Sequence, residues 1–495
     1  MSKPKNSNSI APGISHISFI HTSYSLTEAE MTQQGVQLAS INEQKSLSQD
    51  QQQDIRIAIA SQADCNPPPV AEKQKPRPDL LKGNRTEYIE IAIPLYEASL
   101  RGDWEAANEI LAKRPELVRF SITGNNETAL HVAASAKSTK QVEGFVENLM
   151  TGMTNEDLEL ENNSFGDPGN TALCLAAAAG NLQIVKIMVK KNRKLVAISG
   201  SQGMPPLYMA VLFGHYEVAK YLYDNFHKLD DDCWTPQNRG WLLAKCVETE
   251  MFDIALDIVK NCKLNLGAYG SALGALARKT EVFAETESNI IMRTIDRVWT
   301  GIHPKVGPSK KESRADALEL LKIIWKKIAE LPTEDIDSII RGPPDATKKY
   351  PSRILFVAAE MGNTSFVIEL IRLYPDLIWK VDDDKLSIFH TAVKHRHEGI
   401  YNLLYEIGSM KDLITPLKDT NGNNMLHLVG KSAKKKRLED VSGVAFQMQR
   451  ELLWFKEVEE MIPPSYRDRK NTDDLTPHEL FTKEHKGLVK EGMKR

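Results

Sequence analysis

The sequence predicts an all-α fold, a solenoid of short helix pairs, and three observations lead to this prediction. A self-similar unit recurs along the chain, and its two best copies align without a gap, 34 residues apart. Each copy carries apolar residues at helical spacing, which indicates an amphipathic helix. Small residues and glycines fall at fixed offsets inside the copies. A unit of this length that recurs along a chain is typical of repeat architectures.

Composition narrows the class of protein. The chain has 495 residues, 41% of them hydrophobic, so it can bury a sizeable core. Lys plus Arg (63) nearly balances Asp plus Glu (66), and a net charge of −3 gives no reason to expect nucleic acid as a partner. The five cysteines form no C-x-x-C pair, which argues against a disulfide framework or a zinc ribbon and fits a reducing compartment. We also find no signal peptide and no run of 18 apolar residues.

The N-terminal segment, residues 1–88, differs from the rest of the chain. It is rich in Ser, Gln, Asn and Lys and shows little apolar periodicity. This composition predicts a disordered polar tail. The sequence leaves open whether the tail carries docking motifs or is only a spacer.

Each repeat copy is centred on one apolar anchor residue. Around Leu173 the chain reads Thr-Ala-Leu-Cys-Leu-Ala-Ala and then reaches Gly180; around Leu207 it reads Pro-Pro-Leu-Tyr-Met-Ala-Val and then reaches Gly214. At four anchors an alanine follows three residues later and a glycine seven residues later. The anchors are Leu95, Leu130, Leu173, Leu207, Leu242, Leu355, Phe389 and Leu426, of which Leu242 is degenerate.

Each motif position has a mechanical reason. The Thr hydroxyl before the anchor can cap the first turn of a short helix. Small residues let two helices approach closely, and the glycine supplies the left-handed conformation that ends the first helix. The Ile/Val/Leu stripe that follows is the inner face of a second helix, which only stacked neighbours can bury.

These motifs resemble those of a known family. The stretch Thr128-Ala129-Leu130-His131 looks like the ankyrin signature, and Asn424-Met425-Leu426-His427 is a weaker form of it. The resemblance implies an ankyrin-repeat solenoid in two blocks, with C-terminal capping helices.

A closer resemblance is to plant ankyrin proteins of the accelerated-cell-death and salt-tolerance type, which end in a PGG membrane domain. The segments that carry it are residues 389–408 and 475–485. Departures from the pattern are Arg396 and Lys137, which stand where glycine is usual, and the Leu242 repeat, which lacks the glycine. The resemblance implies plasma-membrane relatives. Because this chain stops at Arg495 without the membrane segments, we expect it to be cytoplasmic or peripheral on a membrane.

The sequence therefore predicts five regions. After the tail, residues 89–279 form a first repeat block, and residues 280–345 contain a loop and an amphipathic helix at 317–331. Residues 346–437 form a second block. Residues 438–495 are a helical segment in which a helix at 445–461 caps the last repeat. Its predicted apolar residues are Phe446, Leu452, Leu453, Trp454, Phe455 and Val458.

The sequence offers only weak candidates for catalytic or metal-binding residues. The histidines at positions 131, 390 and 427 occupy the same place in three repeats, where the ring can hydrogen-bond turn groups, so we interpret them as structural. A metal site needs three or four converging ligands. We expect no catalytic site, no cofactor and no metal. The residues assigned to the structural motif are Thr128, Leu130, His131, Thr171, Leu173, Gly180, Leu207, Gly214, Gly362, His390 and His427.

One basic run precedes the C-terminal segment. It is a possible contact patch made of Lys431, Lys434, Lys435, Lys436 and Arg437. The run could be a nuclear-import signal, a contact for anionic lipid or nucleic acid, or a solvated loop. The resemblance slightly favours lipid.

The function we predict is a non-enzymatic interaction scaffold or regulator that binds other proteins through the concave face and turns. The resemblance implies plant stress, defence or cell-death signalling. The alternative is a soluble form of a subunit of a membrane transport or channel-like assembly. The oligomeric state stays open.

Overall fold

The computed structural model describes residues 75–83, 85–162, 169–226, 229, 234–283, 310–341, 354–433 and 443–492. All of them belong to one compact unit, residues 71–495. The described residues form short helices, and their extended pairing is limited to three isolated bridges: Arg77 with Phe120, Glu161 with Thr171, and Val381 with Ser387. The predicted all-α repeat fold is therefore confirmed. Most of the predicted N-terminal tail lies outside the described residues.

The helices are numbered along the chain. The N-terminal ones are α1 (Asp79–Lys82), α2 (Arg85–Glu87), α3 (Ile93–Arg101), α4 (Trp104–Leu111), α5 (Ala129–Ser135), α6 (Lys140–Thr151), α7 (Asn155–Leu158), α8 (Ala172–Ala178) and α9 (Leu182–Lys191). The central ones are α10 (Pro206–Leu212), α11 (Tyr216–Phe226), α12 (Pro236–Glu248), α13 (Phe252–Asn261), α14 (Leu266–Arg278), α15 (Thr280–Phe283), α16 (Lys310–Ala329) and α17 (Thr333–Arg341). The C-terminal ones are α18 (Ile354–Met361), α19 (Thr364–Leu373), α20 (Ile388–His395), α21 (Glu398–Glu406), α22 (Lys411–Ile414), α23 (Met425–Gly430), α24 (Val444–Met461), α25 (Pro477–Glu484) and α26 (Lys486–Gly492). A π-helix spans Tyr88–Ala92, and 3-10 helices span Pro115–Arg119, Arg193–Ala197, Ser201–Gly203, Pro375–Trp379, Gly408–Met410 and Pro464–Tyr466.

The first helices of the repeats pack on one another in chain order. Each contacts the next, in the series α3, α5, α8, α10, α12, α14, α18, α20, α23 and α25. Their anchors, among them Leu95, Leu173 and Leu355, are completely buried. The second helices, such as α4, α9 and α16, pack beside them. No repeat could bury its apolar stripe alone, so this stacking forms the core.

Glycine ends the first helix where the motif predicts it. Gly180 and Gly214 have φ of 75° and 76°, in the left-handed region. Where glycine is missing, Arg396 (φ 63°) and Glu250 (φ 64°) adopt that conformation instead. Helix α5, which has Lys137 in the glycine position, ends in extended backbone at Ala136 (φ −68°). The left-handed helix end is therefore kept at two of these positions without glycine and is replaced by extended backbone at the third.

The segment between the predicted blocks supplies a further helix pair. Helix α14 packs on both α12 and α18, and α16 packs beside it on α13 and α19. The indole Nε1 of Trp325 on α16 donates to the carbonyl oxygen of Leu370 at 3.1 Å. The two blocks are therefore continuous through this pair. The sequence predicted the second helix of this pair, at residues 317–331, but not α14, which lacks the Thr-x-Leu-His start.

The C-terminal segment also continues the stack. Helix α24, predicted to cap the last repeat, is the second helix beside α23, and α25 packs on α23 beyond it. Three residues predicted on its apolar side, Phe446, Leu452 and Leu453, are 65%, 43% and 61% exposed. The buried side is formed by Val444, Glu451, Trp454, Phe455, Val458 and Met461. The neighbouring helices cover only that side of α24, which leaves the other side open.

Of the helices in the described ranges, none is long and apolar enough to span a membrane.

Candidate protein-binding surface

The histidine of the motif connects neighbouring repeats. Nε2 of His131 lies 3.0 Å from the carbonyl oxygen of Leu160, at the turn into the next repeat. Nδ1 of the same ring lies 2.8 Å from the Thr128 hydroxyl and accepts a hydrogen bond from the Thr128 backbone N–H at 3.3 Å, which completes a capping box at the start of α5. The rings of His390 and His427 are placed alike, with Nε2 on Leu417 O at 3.2 Å and Leu475 O at 3.1 Å. Each ring therefore fixes a turn.

Burial controls the charge of these rings. Desolvation lowers the pKa of His131 and His390 to about 4, and it also lowers the pKa of His427. The three rings are therefore neutral at neutral pH, with one N–H each. In the described part of the chain, no group of three His, Cys, Asp or Glu side chains is placed to hold a metal ion.

A second set of polar residues holds four of the described repeats to the repeat before. Asn181, which follows Gly180, donates its Nδ2 to the carbonyl oxygens of Ala134 and Ala136 at 2.7 and 2.8 Å. Nε2 of His215, which follows Gly214, lies 2.8 Å from Ala178 O. These contacts satisfy carbonyls that a helix end leaves unpaired.

The sequence analysis noted Gly180 and Gly214 but gave no role to the polar residue that follows each of them. The arrangement recurs in two later repeats. Nδ2 of Asn363 donates to the carbonyl oxygens of Leu276 and Ala277, and Nε2 of His397 lies 2.6 Å from the carbonyl oxygen of Glu360. The signal was available in the sequence: a side chain able to donate a hydrogen bond directly follows the position that ends the first helix.

The assigned motif residues lie in different repeats. Leu130, Leu173 and Leu207 are buried anchors, while Thr171 accepts a hydrogen bond from the Cys174 amide at 3.4 Å. The glycines end first helices. The structure thus places these residues along the stack rather than together in one site.

Only one residue of the basic patch is described. Lys431 follows α23, and its carbonyl oxygen accepts a hydrogen bond from Arg396 at 2.8 Å. Lys434, Lys435, Lys436 and Arg437 lie outside the described residues.

The residues that precede the left-handed positions at the ends of first helices form a row that we call the pre-turn row. Stacked first helices bring equivalent positions side by side. The members are Arg101, Ala179, Phe213, Thr249, Met361 and His395. Phe213 and Met361 are 39% and 46% exposed, although both are apolar.

Charged side chains lie beside the row. Lys279 and Glu250 form an ion pair at 3.0 Å, and Nε2 of His395 lies 3.8 Å from a carboxylate oxygen of Glu360. Apolar and charged groups that lie together on an open surface can bind another protein by burial and by hydrogen bonds.

Comparison with known proteins gives the family. A model described as ankyrin repeats (3 copies) matches residues 141–232. The Notch-regulated ankyrin repeat-containing protein of Xenopus tropicalis is 31% identical over 100 residues, which cover 20% of this chain and 82% of that protein. The interferon antagonist OPG039 of Monkeypox virus is 35% identical over 97 residues, 20% of this chain and 31% of that protein. The ankyrin repeat-containing protein ITN1 of Arabidopsis thaliana is 29% identical over 118 residues, 21% of this chain and 20% of that protein.

The match spans less than a third of the viral protein and a fifth of the Arabidopsis one, so neither lends its full-length activity to this chain. Across most of the amphibian protein, however, the chain aligns above 30% identity. The matched residues contain α8 and α10, two first helices that pack on each other. The chain belongs to the ankyrin-repeat proteins.

Proposed function

We propose that the protein is a scaffold or regulator that binds partner proteins along the pre-turn row and the adjoining turns. Ankyrin repeats generally mediate protein–protein binding. The observation that carries the proposal is the exposure of Phe213, which directly follows α10, and of Met361, which ends α18, because the other apolar residues of these two first helices are mostly buried. A stack of rigid repeats holds such side chains in fixed places, so a partner binds them without ordering a loop.

The experiment uses the full chain and compares two double variants. Phe213→Ser with Met361→Ser removes apolar area from the row. The matched control, Leu373→Ser with Leu453→Ser, removes exposed apolar area from second helices, where those residues are 54% and 61% exposed. Each variant, tagged and immobilised, is used to capture proteins from cells, and captured proteins are quantified by mass spectrometry.

We expect a set of partners that the unchanged chain and the control capture equally and that the row variant captures at least about tenfold less, a loss of about 1.4 kcal/mol of binding free energy. Equal capture by all three proteins would contradict the proposed surface. Circular dichroism of each variant checks that the fold persists.

The pathway and the subfamily are proposals of the same kind. We propose a role in plant stress, defence or cell-death signalling and membership of the accelerated-cell-death and salt-tolerance type. The similarity to the Arabidopsis protein and the motif at residues 475–485 support this. We also propose that the chain has no catalytic activity and contacts membranes at most peripherally, through the basic patch. Sedimentation with vesicles that contain phosphatidylserine, at low and at about 0.5 M salt, tests that contact because salt screens it.

A further inference from the structure

One side of α24 carries large apolar side chains that the neighbouring described helices leave open. Phe446, Leu452 and Leu453 are all exposed, although the opposite side of the helix is buried in the stack. Phe446 and Leu453 are seven residues apart, close to two full turns, so they lie on the same side of the helix about 10 Å apart along its axis. Leu452 lies beside Leu453. Apolar side chains grouped in this way on a surface mark an interaction site.

The charged residues of α24 are distributed unevenly along the helix. Its first half carries Arg450, whereas Glu457, Glu459 and Glu460 gather at its C-terminal end, where Lys456 offsets one of the three charges. The last turn contains no basic residue. Because a helix C-terminus carries a partial negative charge, carboxylates there are repelled by their own helix. The acidic end of α24 is therefore suited to lie beside a positive group, such as the N-terminal end of another helix.

Neighbouring helices fix part of this surface. Glu457 accepts a hydrogen bond from the hydroxyl of Tyr405 on α21, and a carboxylate oxygen of Glu459 lies 2.7 Å from Nε2 of His478 on α25. Glu460 is exposed. Tyr405 is itself 55% exposed, so its ring extends the apolar surface from α24 onto α21. The face therefore presents its apolar and acidic groups in fixed positions.

The charge pattern discriminates between occupants of this face. A helix that lies on an anionic membrane typically carries Lys and Arg around its apolar side. On α24 the apolar residues are followed by three glutamates, which anionic lipid headgroups repel. A protein surface that offers a positive end beside an apolar stripe fits better, and a second copy of α24 has both.

We propose that a second copy of the chain covers this face, through antiparallel pairing of the two α24 helices about a twofold axis. An axis between Gln449 and Arg450 puts Phe446 of each copy opposite Leu453 of the other, so the apolar contact forms twice. Antiparallel pairing also brings the acidic end of each helix towards the N-terminal end of the other, where the helix dipole is positive. Parallel pairing would instead put the glutamates of the two copies side by side.

Sedimentation equilibrium of the full chain over a series of concentrations tests the association. Because the face is small, we expect a monomer–dimer equilibrium with a dissociation constant of about 1 to 100 μM. Phe446→Ser with Leu453→Ser should raise that constant at least about tenfold, because it removes both apolar contacts. The matched control, Leu266→Ser with Leu373→Ser, removes side chains that are 45% and 54% exposed on other helices, and it should leave the constant unchanged.

Cysteine cross-linking tests the orientation. Chains that carry Phe446→Cys and chains that carry Leu453→Cys are mixed and oxidised, and the joined peptides are quantified by mass spectrometry. In the antiparallel pair the two different positions face each other, whereas equal positions are offset by about 10 Å along the axis, beyond the reach of a disulfide. We therefore expect links between positions 446 and 453 to exceed links between equal positions at least about tenfold.

A chain that stays monomeric up to about 200 μM would overturn the proposal, because that concentration lies above the expected dissociation constant. A dimer that the Phe446→Ser, Leu453→Ser variant forms as tightly as the unchanged chain would overturn it as well. Links mainly between equal positions would refute the antiparallel arrangement. If a monomeric chain sediments with vesicles that contain phosphatidylserine and the double variant does not, a bilayer covers the face and the proposal is wrong.

Discussion

His215 lies against Gly180 with no room for a side chain between them. A Cβ atom on Gly180 would be 2.5 Å from Nδ1 of the His215 ring, while Nε2 of that ring binds Ala178 O at 2.8 Å. His397 lies on Gly362 in the same way, with 2.3 Å to Nδ1. The glycine of one repeat therefore serves two purposes: it ends its own helix and makes space for the histidine of the next.

Substitution at two glycines separates these purposes. Gly180→Ala meets both the left-handed backbone and the histidine ring, whereas Gly214→Ala meets only the backbone, since nothing lies within 4 Å of a Cβ there. We expect Gly214→Ala to cost about 1 to 2 kcal/mol of the free energy of unfolding. Gly180→Ala should cost about 1 to 3 kcal/mol more. Denaturation in urea measures both, and equal costs would show that the ring moves away freely.

Removing an anchor tests the repeat register. Leu173 is completely buried and Leu207 is 6% exposed, both in first helices. Leu173→Ala and Leu207→Ala should each lower the free energy of unfolding by about 2 to 5 kcal/mol, because each leaves a cavity in the stack. Urea denaturation again provides the measurement. A loss of less than about 0.5 kcal/mol of the free energy of unfolding at both positions would show that the proposed repeat register is wrong.

The regular repeats were predictable because their signals are local. A capping residue, an anchor and a glycine within about ten residues determine where a short helix begins and ends. Leu173 and Gly180 illustrate this, and both lie where the motif predicts them. Stacking then follows, because the apolar stripe of each second helix can be buried only against neighbouring repeats.

Features that depend on distant residues were not predictable. Helix α14 is recognised only by its packing on α12 and α18, and the buried side of α24 depends on which neighbours reach it. Glu451 contacts Arg396 and His485, which lie 55 and 34 positions away along the chain, and no local pattern reports such pairing. Arg396 looked in the sequence like a defect in the glycine pattern. In the structure Arg396 keeps the left-handed conformation and pairs with the buried carboxylate of Glu451.

The buried histidines predict acid sensitivity. The pKa of His131 and His390 is lowered to about 4 in the folded protein, against 6.5 in the unfolded chain. Between these values the unfolded chain binds more protons, so stability falls as pH falls through that window. The full effect is about 3 kcal/mol for each ring. Urea denaturation at several pH values should show this slope, and the slope should be smaller in His131→Gln than in the unchanged chain. A slope unaffected by His131→Gln would contradict the assignment.

Gly430 allows α25, the last of the first helices, to pack closely on α23. It is the final residue of α23, and a Cβ there would lie 3.0 Å from the carbonyl oxygen of Pro477 and 3.4 Å from the amide nitrogen of Phe481. Both are backbone atoms of α25, which cannot rotate away as a side chain can. We expect Gly430→Val to displace α25, so that a protease cuts between α24 and α25 at least about tenfold faster while the earlier repeats stay resistant. Gly487→Ala is the control, because nothing lies within 4 Å of a Cβ at that position. If Gly430→Val left cleavage at the level of Gly487→Ala, α25 would not depend on this close approach, and its contact with α23 would have to be held by side chains alone.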